Sequence, residues 1–231
     1  MIEWKDDAIL LSARPHGESA AIIEVLTPAH GRHAGVVRGG TSRKMTPHLQ
    51  PGAQLTVEWR ARLAEHIGAF RVEPVRSRAA ALMSDRAALA ALTSVCTLLR
   101  NAMPEREPVG DLYEATHSLL DHLGGEDWMA AYVRWELFLL TELGYGLDLS
   151  TCAATGGRED LRYVSPRTGR AVSRAGAGAW ADKLLPLPRF LREEAAVSDQ
   201  DIAGGLRLAG FVLKQVAHQE NIVVRLGHLV P

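Results

Sequence analysis

Gln54-Leu-Thr-Val-Glu-Trp-Arg60 alternates apolar Leu55, Val57 and Trp59 with polar Thr56 and Glu58. Successive side chains of an extended chain point to opposite faces, so a period of two marks a half-buried strand. Other short apolar runs surround it, each bounded by turn residues. Ala8-Ile-Leu-Leu-Ser-Ala13 closes at Arg14-Pro-His-Gly17, and Ala20-Ala-Ile-Ile-Glu-Val-Leu26 closes at Thr27-Pro-Ala-His-Gly31. Ala34-Gly-Val-Val37 runs into Gly39-Gly40, and His66-Ile-Gly-Ala-Phe-Arg-Val-Glu73 follows. About five short strands in so short a stretch fit a small closed barrel, either the five-stranded oligonucleotide-binding (OB) type or an SH3-like one.

Beyond Pro74 the pattern turns helical. Leu89, Leu92, Cys96 and Leu99 recur at steps of three and four, and Pro104 follows. Leu112, Thr116, Leu119 and Leu123 form a second such face, stopped by Gly124-Gly125. Met129, Val133, Leu137 and Leu140 form a third, with Glu126 and Asp127 suited to its positive N-terminus. Ser198-Asp-Gln-Asp201 reads as a capping box opening a fourth helix through Ile202, Leu206, Ala209, Leu213 and Val216. The expected architecture is α+β in two domains: a barrel over residues 1–78 and a mainly helical domain over 79–231, with a loop insertion at about 145–175.

The totals exclude several classes. The chain has 231 residues, 47% hydrophobic and 23% charged, an ordinary globular composition. No apolar run approaches the roughly 18 to 20 residues of a membrane span. Met1-Ile-Glu-Trp-Lys-Asp-Asp7 carries charge from its third residue, unlike a signal peptide. Only two cysteines, Cys96 and Cys152, are present, which fits a reducing cytoplasm. A net charge of −1 gives no global attraction to a polyanion, so any such partner needs a local patch.

One patch stands out. Between Glu24 and Glu58 there is no acidic residue, while Arg32, Arg38, Arg43 and Lys44 all fall there. The density peaks in Arg38-Gly-Gly-Thr-Ser-Arg-Lys44, a glycine/serine loop that suits close approach to phosphates. The alternative is a solvated turn neutralised by acids elsewhere in the fold. Trp4 and Trp59 are candidate stacking platforms for bases, or simply core. His30 and His33 are near enough to share a metal, but flanking glycines favour a solvated turn.

Enzyme signatures are missing: no phosphate-binding G-x-x-x-x-G-K-[ST], no G-x-S-x-G and no H-E-x-x-H. Gly176-Ala-Gly178 lacks the third glycine of a dinucleotide fingerprint and reads as a flexible joint. Cys152 is a candidate nucleophile without an apparent base, or a packing thiol. Arg134-Trp-Glu-Leu-Phe-Leu-Leu140 is too apolar for one face, which implies central burial or a groove for a partner.

In order along nearly the whole chain, these segments resemble the RecO family of bacterial recombination mediators. The likeness rests on Ala8–Ser19, Thr27–Arg32, Val37–Lys44 and Leu49–Gly52, then on Arg134–Cys152, Tyr163–Ser173 and Leu184–Leu191; only Asn221–Pro231 look unlike it. The resemblance implies an N-terminal OB barrel, and a helical domain with a zinc-ribbon-like loop. In some members four cysteines hold zinc there. Cys152 keeps the first position, Thr155 replaces the second and no later pair follows, so no metal and no other cofactor is expected. The resemblance also implies a non-enzymatic role in DNA repair and homologous recombination. That role comprises binding single- and double-stranded DNA, annealing complementary strands, and acting with RecR to load RecA onto DNA coated by single-strand binding protein. Arg32, Arg38, Arg43 and Lys44 are the DNA-binding candidates, and Arg134 and Phe138 the candidates for that protein's C-terminal tail. The implied place is the cytoplasm, at the nucleoid during repair. A Cys152-dependent enzyme with an RNA-binding barrel, or an interaction module that binds no nucleic acid, remain the alternatives.

Overall fold

The computed structural model describes residues 1–219; the dissimilar Asn221–Pro231 lie outside them. Five strands come first: β1 (Ile2–His16), β2 (Ala20–Thr27), β3 (Gly31–Val37), β4 (Gln54–Ala61) and β5 (Ala69–Arg76). They close on themselves in the order β1-β2-β3-β5-β4, because β1 pairs with both β2 and β4. The ring is completed by a short parallel contact of Val36 and Val37 with Ala69 and Phe70. Closure removes the exposed strand edges that would otherwise template aggregation. Leu55, Val57 and Trp59 point into the barrel beside Leu10, Ile23, Val25 and Phe70, as the alternation requires.

The first strand is longer than its apolar run. Charged Glu3, Lys5, Asp6 and Asp7 extend it, pairing with Arg60, Glu58, Val57 and Thr56 of β4. Ala8–Leu11 and much of β2 show no alternation because both faces of the wall are buried there. Ala8, Leu10 and Ile23 face the barrel interior. On the other face Ile9, Leu11, Ile22 and Leu26 are also buried, where α2 (Arg86–Ala102) packs on β1 and α3 (Gly110–His122) on β2. The Cys96 thiol, on α2, lies 3.7 Å from the Leu10 carbonyl oxygen.

The described chain thus forms two compact units, Met1–Gly124 and the residues from Gly125 onward. Within the first, the short α1 (Arg78–Ala81) supplies a buried arginine. Arg78 donates to Asp121 of α3 at 2.5 Å, to the Gly52 carbonyl at 2.9 Å and to Gln54 Oε1 at 3.2 Å. Gln54 in turn donates to the Tyr113 hydroxyl at 2.8 Å. Residues 103–109 then strap the β2–β3 turn. The Arg106 N–H donates to the Arg32 carbonyl at 2.9 Å, and Val109 N–H to the Pro28 carbonyl at 3.2 Å. Gly31 has φ +61°, and a Cβ there would sit 1.8 Å from the Glu107 carbonyl oxygen, so the strap requires glycine.

In the second unit α4 (Trp128–Glu142) is buried on several sides, through Trp128, Tyr132, Val133, Trp135, Leu139 and Leu140. The excess apolarity of this segment is therefore largely core. α6 (Asp199–Gln219) packs against it. The capping box forms: Ser198 Oγ accepts from Asp201 N–H at 3.2 Å while the Asp201 carboxylate accepts from Ser198 N–H at 3.1 Å. The segment read as a loop contributes β6 (Leu161–Val164) and β7 (Ala171–Ser173), which with β8 (Leu185–Pro186) beyond it form a three-stranded sheet in the order β7-β6-β8. Strands of two to four residues leave too little periodicity to read in sequence. Among the described residues no helix is long and apolar enough to cross a membrane.

Replacing Arg78 by Met should cost about 3–5 kcal/mol of unfolding free energy, because Asp121, Gln54 and the Gly52 carbonyl all lose a charged donor. Chemical denaturation checks this; a loss under about 1 kcal/mol would show that Arg78 does not hold the unit together.

Candidate nucleic-acid interface

The chain leaves β3 at Val37 and turns through Gly39, whose φ of +70° favours glycine. Gly40 is demanded by packing, since a Cβ would meet the Ala21 Cβ at 2.6 Å. Thr41 N–H then bonds the Ser19 carbonyl at 3.3 Å, Ser42 N–H the Gly39 carbonyl at 3.0 Å and Met45 N–H the Ser42 carbonyl at 3.0 Å. These bonds give the loop a defined course. Its three cations, Arg38, Arg43 and Lys44, are exposed. Among the described residues none of the three forms an ion pair.

Arg32 is differently placed. Its guanidinium bonds Glu24 at 2.9 Å, Glu105 at 3.3 Å and the Met103 carbonyl at 2.9 Å, and its side chain is only 16% exposed. Both carboxylates lie outside the acid-free stretch in sequence. Glu24 reaches Arg32 because β2 pairs antiparallel with β3, and Glu105 because the strap crosses there. Arg32 is thus an internal tie, and the structure groups Arg38, Arg43 and Lys44 without it.

Beside the loop runs a groove of about 390 Å³, lined by Arg38, Met45, Arg60 and Arg71 together with Glu58. Arg71 sits opposite Glu58 in the β4–β5 register, and Arg60 pairs with Glu3 at 2.7 Å and Glu58 at 3.9 Å. The sequence signal for these two cations is the polar half of the alternating strands. With Trp59 and Phe70 pointing inward, Arg60 and Arg71 must point outward.

The tryptophans are packing groups. Trp59 is 1% exposed. Trp4 is half-buried and stacks on His30 at 4.0 Å and on Trp59 at 5.7 Å, so its ring is engaged within an aromatic cluster. His30 and His33 do not form a solvated turn either. His30 Nδ1 lies 3.1 Å from an Asp6 carboxylate oxygen. His33 is buried, edge-on to Trp59 at 4.7 Å, and neither of its ring nitrogens has a hydrogen-bond partner. Burial, with Arg106 and His30 adding repulsion, pushes its pKa from 6.5 down to about 4.

In the second unit Cys152 is 1% exposed. Its sulfur accepts from Ser173 N–H at 3.2 Å, Ser173 Oγ–H at 3.3 Å and Thr155 N–H at 3.4 Å. Burial pushes this thiol up, but those donors outweigh it and bring it down to about 6. The groups around the sulfur are hydrogen-bond donors and not further thiols, so the set does not fit a tetrahedral zinc. Gly176 is no flexible joint: a Cβ there would lie 2.8 Å from this sulfur. Arg134 and Phe138 share a face of α4 one turn apart, Arg134 exposed and Phe138 half-buried. The Arg134 guanidinium also lies over the Phe190 ring at 5.1 Å and bonds the Phe190 carbonyl at 3.1 Å.

His33 sets an acid limit on the barrel. Its pKa is lower folded than unfolded, so the unfolded chain takes up the proton first. Stability should therefore fall as pH drops from about 6.5 towards about 4, by up to about 3 kcal/mol. His33→Phe should remove that component; equal acid sensitivity of both proteins in denaturation at about pH 7.5 and about pH 5 would refute it.

Two family models match the chain: one described as recombination protein O N terminal over residues 1–78, and one as recombination protein O C terminal over residues 83–217. A DNA repair protein RecO from Roseobacter denitrificans is 61% identical over 215 residues, covering 93% of this chain and 89% of that protein. Those from Ruegeria sp. (strain TM1040) and Jannaschia sp. (strain CCS1) are 59% and 57% identical, each across 92% of this chain and across 89% and 86% of theirs.

Proposed function

The chain belongs to the RecO family of DNA repair proteins, and we propose that its basic loop at Arg38, Arg43 and Lys44 grips the phosphates of DNA. The protein acts in DNA repair and homologous recombination as a mediator. The observation that carries the binding site is the contrast among the barrel cations. Arg32 is neutralised internally, whereas the three loop cations project from a defined glycine turn beside a groove. Unneutralised surface cations on a fixed backbone suit a polyanion, and main-chain N–H groups of the turn add donors.

We assign residues 1–78 to an OB-type barrel that binds DNA and 79–231 to the recruitment of proteins. The strand order β1-β2-β3-β5-β4, with its parallel β3–β5 closure, supports the OB assignment. The mediator role needs no bond-breaking chemistry. Annealing of complementary single strands follows from screening phosphate repulsion and raising local strand concentration. The same cations serve single- and double-stranded DNA, since phosphate contacts carry no sequence information. In this reading the protein acts with RecR, RecA is reached indirectly, and the acidic tail of single-strand binding protein meets Arg134 and Phe138. The place of action is the cytoplasm, at the nucleoid during repair.

The test is fluorescence anisotropy with a labelled single-stranded oligonucleotide across a salt series. Each phosphate contact contributes about 0.7 to the slope of log K against log salt, so Arg38→Ala, Arg43→Ala and Lys44→Ala together should flatten it by about 2. Affinity should fall to a similar degree for unrelated sequences. An unaltered slope and affinity in the triple variant would remove this loop from the interface.

A further inference from the structure

Arg106 stands outside the barrel strands, in the strap, yet its guanidinium ends on the β4–β5 loop at residues 62–68. Nη1 donates to the Ala64 carbonyl, and Nη2 donates to the carbonyls of Glu65 at 3.4 Å and His66 at 3.1 Å. The residue adopts φ +66°, a region uncommon outside glycine, and its Nε is buried without a hydrogen-bond partner. Such a conformation persists where surrounding contacts over-determine it. Here they do: the Arg106 N–H is held by the Arg32 carbonyl, and Arg32 reaches back to Met103 and Glu105.

The loop that Arg106 holds has an unusual surface. Leu63 is 47% and Ile67 43% exposed, next to exposed Arg62. Its C-terminal end is fastened, by Trp59 Nε1 to the Ile67 carbonyl at 3.0 Å and by Val36 N–H to the Gly68 carbonyl at 3.1 Å. At its middle, the carbonyls of Ala64, Glu65 and His66 meet Arg106. Arg60, Arg62, His66 and Ile67 line a shallow groove of about 500 Å³ there. A loop whose apolar tip is displayed beside cations suits an unpaired strand, whose bases present apolar faces while its phosphates meet the cations.

Resting on the nucleic-acid reading above, we propose that Arg106 is a positioning residue for single-stranded DNA, pinning the β4–β5 loop so that Leu63, Ile67 and Arg62 are presented already ordered. A loop ordered before binding loses less conformational entropy on binding, which appears as affinity. Arg106 does this without touching the strand, because its Nη donors are engaged with main-chain carbonyls and its Nε is buried.

The full-length wild type, R106A and R106K are compared in two ways: amide hydrogen exchange, and anisotropy with a single-stranded oligonucleotide and with a duplex across a salt series. R106A should speed exchange at residues 62–68 and weaken single-strand binding about three- to tenfold. Duplex binding should weaken less, and the salt slope should stay unchanged. R106K should behave like R106A, because an ammonium cannot bridge three carbonyls as a planar guanidinium does. It also serves as the milder variant should R106A fail to fold. A slope flattened by about 0.7, or full rescue by R106K, would make Arg106 a simple phosphate contact and overturn the proposal. A freed loop with wild-type affinity would overturn it as well. A wild type that binds no oligonucleotide defeats the nucleic-acid reading itself, and this inference with it.

Discussion

The buried guanidinium of Arg78 joins the strand half of the first unit to its helical half. It is 2% exposed and meets a helix carboxylate, a loop carbonyl and a strand amide. A charge in so dry a place is tolerable only when every donor is satisfied in good geometry. That requirement couples Asp121 on α3, the Gly52 turn and Gln54 at the start of β4. With the barrel and the helices so joined, apolar residues on both faces of β1 and β2 are buried, and the wall departs from simple alternation. The compact unit accordingly runs past the point where strands give way to helices, as far as Gly124.

The strap at residues 103–109 sorts the cations of the barrel into two kinds. It brings Glu105 and the Met103 carbonyl to Arg32, leaving that side chain neutralised and largely covered. It leaves Arg38, Arg43 and Lys44 untouched, and sends Arg106 across to the β4–β5 loop. Surface charge is thus decided less by how many basic residues a segment contains than by which carboxylates the fold carries to them. The acid-free stretch between Glu24 and Glu58 illustrates both sides of this. It marks the loop where cations remain exposed, yet Glu24 itself folds back onto one of them.

Much of the architecture was legible. The alternation of Leu55, Val57 and Trp59 placed β4, the helical spacing of Leu92, Cys96 and Leu99 placed α2, and the Ser198/Asp201 pair marked the start of α6. These are local signals in which side-chain spacing and backbone geometry carry the same period. What escaped notice was short or complementary. β6, β7 and β8 are too brief to show a period. Arg60 and Arg71 are legible only by asking where the polar half of an alternating strand goes. The aromatic cluster of Trp4, His30, His33 and Trp59 depends on strand β1 extending into a charged segment, which composition alone argues against.

By itself the amino-acid sequence determined the strand and helix periods, the acid-poor basic loop, and the ordered set of segments that marks the family. Each of these is a property of neighbours along the chain. Only the tertiary structure decided that Arg32 is a tie and Arg38 is exposed, that Trp59 is core, that Cys152 is ringed by hydrogen-bond donors, and that Arg106 reaches the β4–β5 loop. Each of those turns on which groups meet across tens of residues. Coulombic and hydrogen-bonding partners act over a few ångströms of space, a distance that separation along the chain does not report.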